Sequence, residues 1–178
     1  MHRFVLSLVA LSLVAGVSTA CDDDDDLDPS PNSSVVRFTA TLLPGNERPT
    51  PVTGAEATGS GVANITFNVT RDSAGNITAA TADFNVTLTG FPSTTAITIA
   101  HIHTGGPEAS SGILVDTGLT SGTVQLINGA GSFSRTNIQF QSLDIPQNII
   151  NNPNGFYFNV HSSANPGGVV RGQLVLVS

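Results

Sequence analysis

The chain of 178 residues contains no lysine and no tryptophan, and it has one tyrosine, one methionine and one cysteine. Each scarcity excludes something. A single cysteine, Cys21, rules out an intramolecular disulfide and any zinc or redox site built on paired thiols. All six basic residues are arginines, and the five beyond Arg3 are scattered, so no basic stripe exists to follow a phosphate backbone. Nucleic acid is therefore not an expected partner. Charged residues are only 11% of the chain, and six of its 13 acids crowd between Asp22 and Asp28. Beyond Pro29, seven acids face five arginines, a balance of −2. What remains abundant is Gly, Thr, Ser, Asn and Val, the vocabulary of strands and turns rather than of helices.

The first twenty residues, MHRFVLSLVALSLVAGVSTA, pair a short polar start carrying Arg3 with an apolar run and a small-residue end. The run is too short and wrongly flanked to span a membrane and reads as an export signal, residues 1–20. Cys21 follows at once and resembles the lipid-modified cysteine of bacterial lipoproteins, although Ser18 stands where that pattern usually has Leu. Lipidation at Cys21 is the expectation, with ordinary signal-peptidase cleavage and a free thiol as the alternative. The run DDDDDLDPSPNSS repels itself and offers nothing to bury, so residues 21–34 read as a disordered acidic tether holding a domain, 35–178, off a membrane surface. That places the protein in the cell envelope, at the periplasmic or outer face. Five Asn-x-Ser/Thr sequons, at Asn32, Asn64, Asn68, Asn76 and Asn85, reflect a composition rich in Asn and Thr.

From Val35 onward, short alternating apolar–polar segments recur between Gly, Pro and Asn. They predict strands over 35–42, 61–70, 77–90, 96–104, 112–118, 122–127, 131–140, 155–163 and 169–177, with one short helix within SLDIPQNIINNPN, 142–154. Eight or nine strands at this spacing imply an all-β fold, an antiparallel Greek-key sandwich or partly closed barrel.

All histidines beyond His2 lie in two segments, AHIHTGG and NVHSS. His101 and His103 share one strand face, about 6 to 7 Å apart at Cβ, within reach of a common metal ion. In GFYFNVHS, Phe156, Phe158 and Val160 form the core face, leaving Tyr157, Asn159 and His161 on the other. If SANPGG turns a closing hairpin, Arg171 and Gln173 join His161 on one polar surface. Three neutral imidazoles without thiolates or clustered carboxylates suit copper, then zinc, better than calcium or magnesium. The competing reading is a buried hydrogen-bond network with no metal. A hydrolase has no support: no G-x-S-x-G elbow occurs, and Ser162 points away from His161.

These segments together resemble the CHRD domain, the module named from chordin and also found in bacterial exported proteins. FTATLLPGNERPTPV is similar to the family's opening L-x-G-x-N/E-x-P pattern, AHIHTGGPEASSGILV to its central AHIH-x-G segment, and FYFNVHSSANPGGVVRGQL to its closing signature. The resemblance covers Val35 to Val177, with Ser162 in place of the usual Thr and Val169 in place of the usual Glu. It implies an extracellular β-sandwich but no settled activity, and chordin's growth-factor binding does not carry over to a tethered bacterial domain.

A weaker likeness joins the H-x-H strand, the later V-H and the closing Arg-Gly to copper–zinc superoxide dismutases. It implies copper on His101, His103 and His161, with Arg171 beside an open coordination position to attract an anion. The chain lacks the further histidines of a zinc subsite and the dismutase's disulfide, so full dismutase activity is not expected. Tyr157, Asn159 and Gln173 would then stand as neighbours of the metal ligands or of a substrate. The alternative is a metal-free surface adhesion module for an unknown protein or glycan partner, in which Arg171 holds the hairpin through carbonyls or an acid such as Asp144.

Overall fold

The structure is a computed structural model that describes residues 32–177. The export signal, Cys21 and all of the acidic run as far as Pro31 lie outside the described residues. Nine strands form two antiparallel sheets with one short helix: β1 (Ser33–Leu42), β2 (Ser60–Arg71), β3 (Ile77–Thr89), β4 (Ile97–Thr104), β5 (Ile113–Asp116), β6 (Gly131–Gln139), α1 (Asp144–Asn151), β7 (Phe156–Ser162), β8 (Val170–Gln173) and β9 (Val175–Val177). One sheet runs β6-β3-β2-β1-β9 and the other β5-β4-β7-β8. Both sheets are open, so the fold is a sandwich and not a closed barrel.

Alternation explains the large sheet directly. In β2, Ala63, Ile65, Phe67 and Val69 are buried, while Asn64 and Asn68 between them and Val62 before them are exposed. In β3, Ala82, Phe84, Val86 and Leu88 follow the same rule. These rows meet Ala100, Ile102, Phe158 and Val160 from the small sheet, and Phe84 stacks on Phe158 with ring centroids 5.7 Å apart. Burial of such a row, at about 25 cal/mol per Å² of apolar surface, is the main force holding the sheets together.

Two expected strands differ. Residues 122–127 form no strand; the segment is a turn whose Val124 plugs the core and which closes on an isolated bridge between Ile127 and Ala130. It links β5 at the edge of one sheet to β6 at the edge of the other, so it must cross the gap rather than run along an edge. The stretch 169–177 divides at Leu174. That side chain is fully buried, its N–H donates to the Phe156 carbonyl (3.0 Å), and the chain passes from β8 in the small sheet to β9 in the large one. Leu176, two residues beyond the buried Leu174, where alternation would predict a second core residue, is instead 49% exposed. The expected hairpin between β7 and β8 forms, with Tyr157 opposite Gln173 and Asn159 opposite Arg171.

Candidate functional site: three buried imidazoles

The small sheet has a second buried face. Every residue of β7 is buried, including Tyr157, Asn159 and His161 on the side away from the sandwich core. Alternation separates the two faces of a strand but does not say what folds over them. Here the covering layer comes from three connections: residues 105–112, the segment around Glu47 and the β7–β8 turn. The polar surface expected around His161 is therefore an interior layer.

Within it, β4 presents His101 and His103, and its pairing with β7 sets them opposite Asn159 and Tyr157. His161, two residues further along β7, reaches His101 on the diagonal. The ring centroids lie 5.7 Å apart for His101–His103, 5.2 Å for His101–His161 and 6.1 Å for His103–His161. One nitrogen from each ring lies within 4.8 Å of the others, and the residues are 2%, 5% and 6% exposed. Nitrogen–metal bonds of about 2.0–2.1 Å place two tetrahedral donors about 3.4 Å apart. His101 Nδ1 and His161 Nε2 are already 3.4 Å apart.

The surroundings fix which nitrogens are free. His103 Nδ1 lies 3.0 Å from both the Ser111 and Gly112 carbonyls, and His161 Nδ1 lies 2.9 Å from the Pro166 carbonyl. A carbonyl accepts only, so both Nδ1 atoms carry the proton and both Nε2 atoms present lone pairs. His103 Nε2 is buried with no hydrogen-bond partner. The Asp116 carboxylate is 3.7 Å from His101 Nε2, which favours a proton there and leaves His101 Nδ1 as the third donor.

Burial pushes all three imidazoles below their ordinary value of 6.5. His101 falls to about 4, chiefly through burial and then through its neighbour His161, with Asp116 acting in the opposite sense. His103 and His161 are lowered by burial, against the carbonyls that favour their protonated forms. At neutral pH the cluster is uncharged, the state a metal requires.

The neighbouring residues have distinct placements. The Tyr157 ring stacks on His103 at 4.9 Å and 6°, and the Arg171 guanidinium sits 3.5 Å from the Tyr157 centroid. Arg171 is only 2% exposed and donates to the carbonyls of Ala109 (2.7 Å) and Gly106 (3.1 Å). Gln173 Nε2 donates to the carbonyls of Gly105, Asn154 and Phe156. Arg171 and Gln173 thus hold the 105–112 strap, whose Ser111 and Gly112 carbonyls orient His103. Arg171 binds carbonyls rather than Asp144, which opens α1.

Sequence reasoning missed two buried acids: Glu47, inside this polar layer, and Glu56, at the end of β7 on its other face. Glu56 accepts from Ser162 Oγ and Asn165 Nδ2, both at 2.6 Å. Glu47, 3% exposed, accepts from Asn159 Nδ2 at 3.4 Å, and burial raises its carboxyl to about 7 despite Arg171, Asn159 and Arg48. The available signal was their position in a charge-poor opening segment, where an acid needs a partner to be kept. Asp116 was equally visible, as the acid of the strand following the H-x-H pair.

The family model described as the CHRD domain matches residues 38–174. No curated protein and no solved structure matches the chain. Among the described residues no helix is long and apolar enough to cross a membrane.

Proposed function

The chain belongs to the CHRD family, whose domains are typically extracellular, and from that premise we propose an exported, membrane-tethered sandwich that binds one metal ion, copper before zinc. His101 Nδ1, His103 Nε2 and His161 Nε2 are the ligands. The observation that carries this reading is His103 Nε2: a buried lone pair without a donor, on a ring whose other nitrogen is held by two carbonyls. An unpaired buried acceptor costs about 1–3 kcal/mol, which a bound cation removes. Copper stands first because the donors are all imidazoles and affinity rises along the first row to copper. Bound copper would supply one-electron chemistry; the protein's own part is to fix the donors, exclude water and keep the rings neutral. The export signal, Cys21 and the acidic tether support display at the cell envelope.

One contact favours a metal-free interaction module instead. With its proton on Nδ1 instead of Nε2, His101 can donate to His161 Nε2 at 3.4 Å, closing the pair without an ion. Titration of the full-length protein with copper and zinc, followed by paramagnetic resonance and metal analysis, decides between them. One nitrogen-coordinated copper per chain, lost in His101→Ala and His161→Ala, is the expected result. Binding no greater than in those variants leaves a structural network whose partner is a protein or glycan.

A further inference from the structure

The surroundings of the three imidazoles also bear on the charge of the ion they would hold, an inference that rests on the metal reading above. We propose that this is a monovalent-copper site, binding Cu(I) more tightly than Cu(II) or Zn(II).

The ligand set is the first reason. Among the described residues the cluster consists of three histidines with no cysteine or acid in it. Three imidazoles neutralise none of the ion's charge, so the ligands themselves would leave a dication its full +2. Of the acids nearby, Asp116 faces the far nitrogen of His101 and is 62% exposed, where solvent screens it, and Glu47, a carboxyl raised to about 7 by burial, binds Asn159 and not a ring.

Burial is the second. The three rings are 2%, 5% and 6% exposed, and His103 Nε2 has essentially no contact with solvent. The cost of moving an ion from water into such surroundings grows as the square of its charge, so a dication pays about four times what a monocation pays. A fixed cation sharpens the difference. The Arg171 guanidinium lies 3.5 Å from the centroid of Tyr157, whose ring stacks on His103 at 4.9 Å. It repels a dication twice as strongly as a monocation at the same place.

Coordination number is the third. Cu(II) favours tetragonal shells and protein-bound zinc favours four ligands. Cu(I), with a filled d shell, is satisfied by three donors and needs no water to complete it. β4 and β7 deliver three.

The test is a pair of competition titrations on the metal-free, full-length protein in detergent micelles. Cu(I) is titrated without oxygen against bicinchoninate, and Cu(II) and Zn(II) against chelators of known affinity. The expected result is one Cu(I) per chain, held at least about a hundredfold more tightly than either dication. Protein loaded with Cu(II) should lose its paramagnetic signal on adding ascorbate and keep its copper. Equal or tighter binding of Cu(II) or Zn(II) overturns the cuprous assignment while leaving a metal site in place. No stoichiometric binding of any of the three, or Cu(I) binding undiminished in His103→Phe and His161→Gln, overturns the site itself.

Discussion

Replacing Glu47 with Gln should change the protein's stability by an amount that depends strongly on pH. Glu47 is 3% exposed, and burial lifts its carboxyl from 4.5 to about 7 against the pull of Arg171, Asn159 and Arg48. Its Oε1 and the neighbouring Asn159 Oδ1 are both buried acceptors without donors, so a proton on the carboxyl supplies what the place lacks. Because the folded value is raised, the folded state holds this proton more tightly than the unfolded chain. The resulting stability is fully present below 4.5 and is lost as pH rises through about 7. At about 1.4 kcal/mol per pH unit, the interval from 4.5 to about 7 corresponds to about 3 kcal/mol. Glu47→Gln keeps the shape, removes the charge and adds a donor. The assay is urea unfolding of both metal-free proteins at pH 4 and pH 8. Protonation of the histidines affects both alike and cancels in the difference. The variant should gain about 3 kcal/mol on the wild type between the two pH values. A difference that stays constant within about 0.5 kcal/mol would refute the reasoning that Glu47 is a desolvated acid.

Further consequences concern the cluster and its supports. In the Glu47→Gln background, where the opposing carboxyl is gone, the metal-free protein should lose stability as pH falls from 6.5, the ordinary histidine value, through about 4, the folded value of His101. Thermal melts at pH 7.5 and 4.5 check this, and copper should protect more at the higher pH. Arg171→Gln frees the 105–112 strap and should weaken copper binding by about tenfold. Arg171→Lys should fail to restore it, because a single ammonium cannot reach two carbonyls as the guanidinium fork does. Gly172→Ala places a Cβ against the Thr41 backbone carbonyl, where β8 crosses β1. A loss of about 3 kcal/mol in denaturant unfolding is expected, since neither backbone can yield easily.

Much of this was legible in the sequence because strand alternation is a local signal. The inward rows of β2 and β3, the hairpin of β7 and β8 and the shared face of His101 and His103 all follow from residues two apart. The same signal over-read residues 122–127, where an alternating segment lies between two sheet edges and has nothing to pair with. It also ran through Leu174, because a change of sheet leaves the alternation of the flanking residues intact. The polar layer over β7 was hidden for a different reason. Its covering residues, Glu47 and the 105–112 strap, are 46 to 112 positions from the atoms they touch in β7 and β8. Arg171 illustrates the limit: its place in the closing signature marked it as important. Only its acceptors show that the guanidinium holds a strap and is not open to an incoming anion.

The most direct measurement is anomalous diffraction at the copper edge from crystals of the protein grown or soaked with copper. A single strong peak bonded to His101 Nδ1, His103 Nε2 and His161 Nε2 is the predicted result. Crystals soaked in saturating copper that show no peak among the three rings, or copper held only through other residues, would contradict a metal site at this cluster.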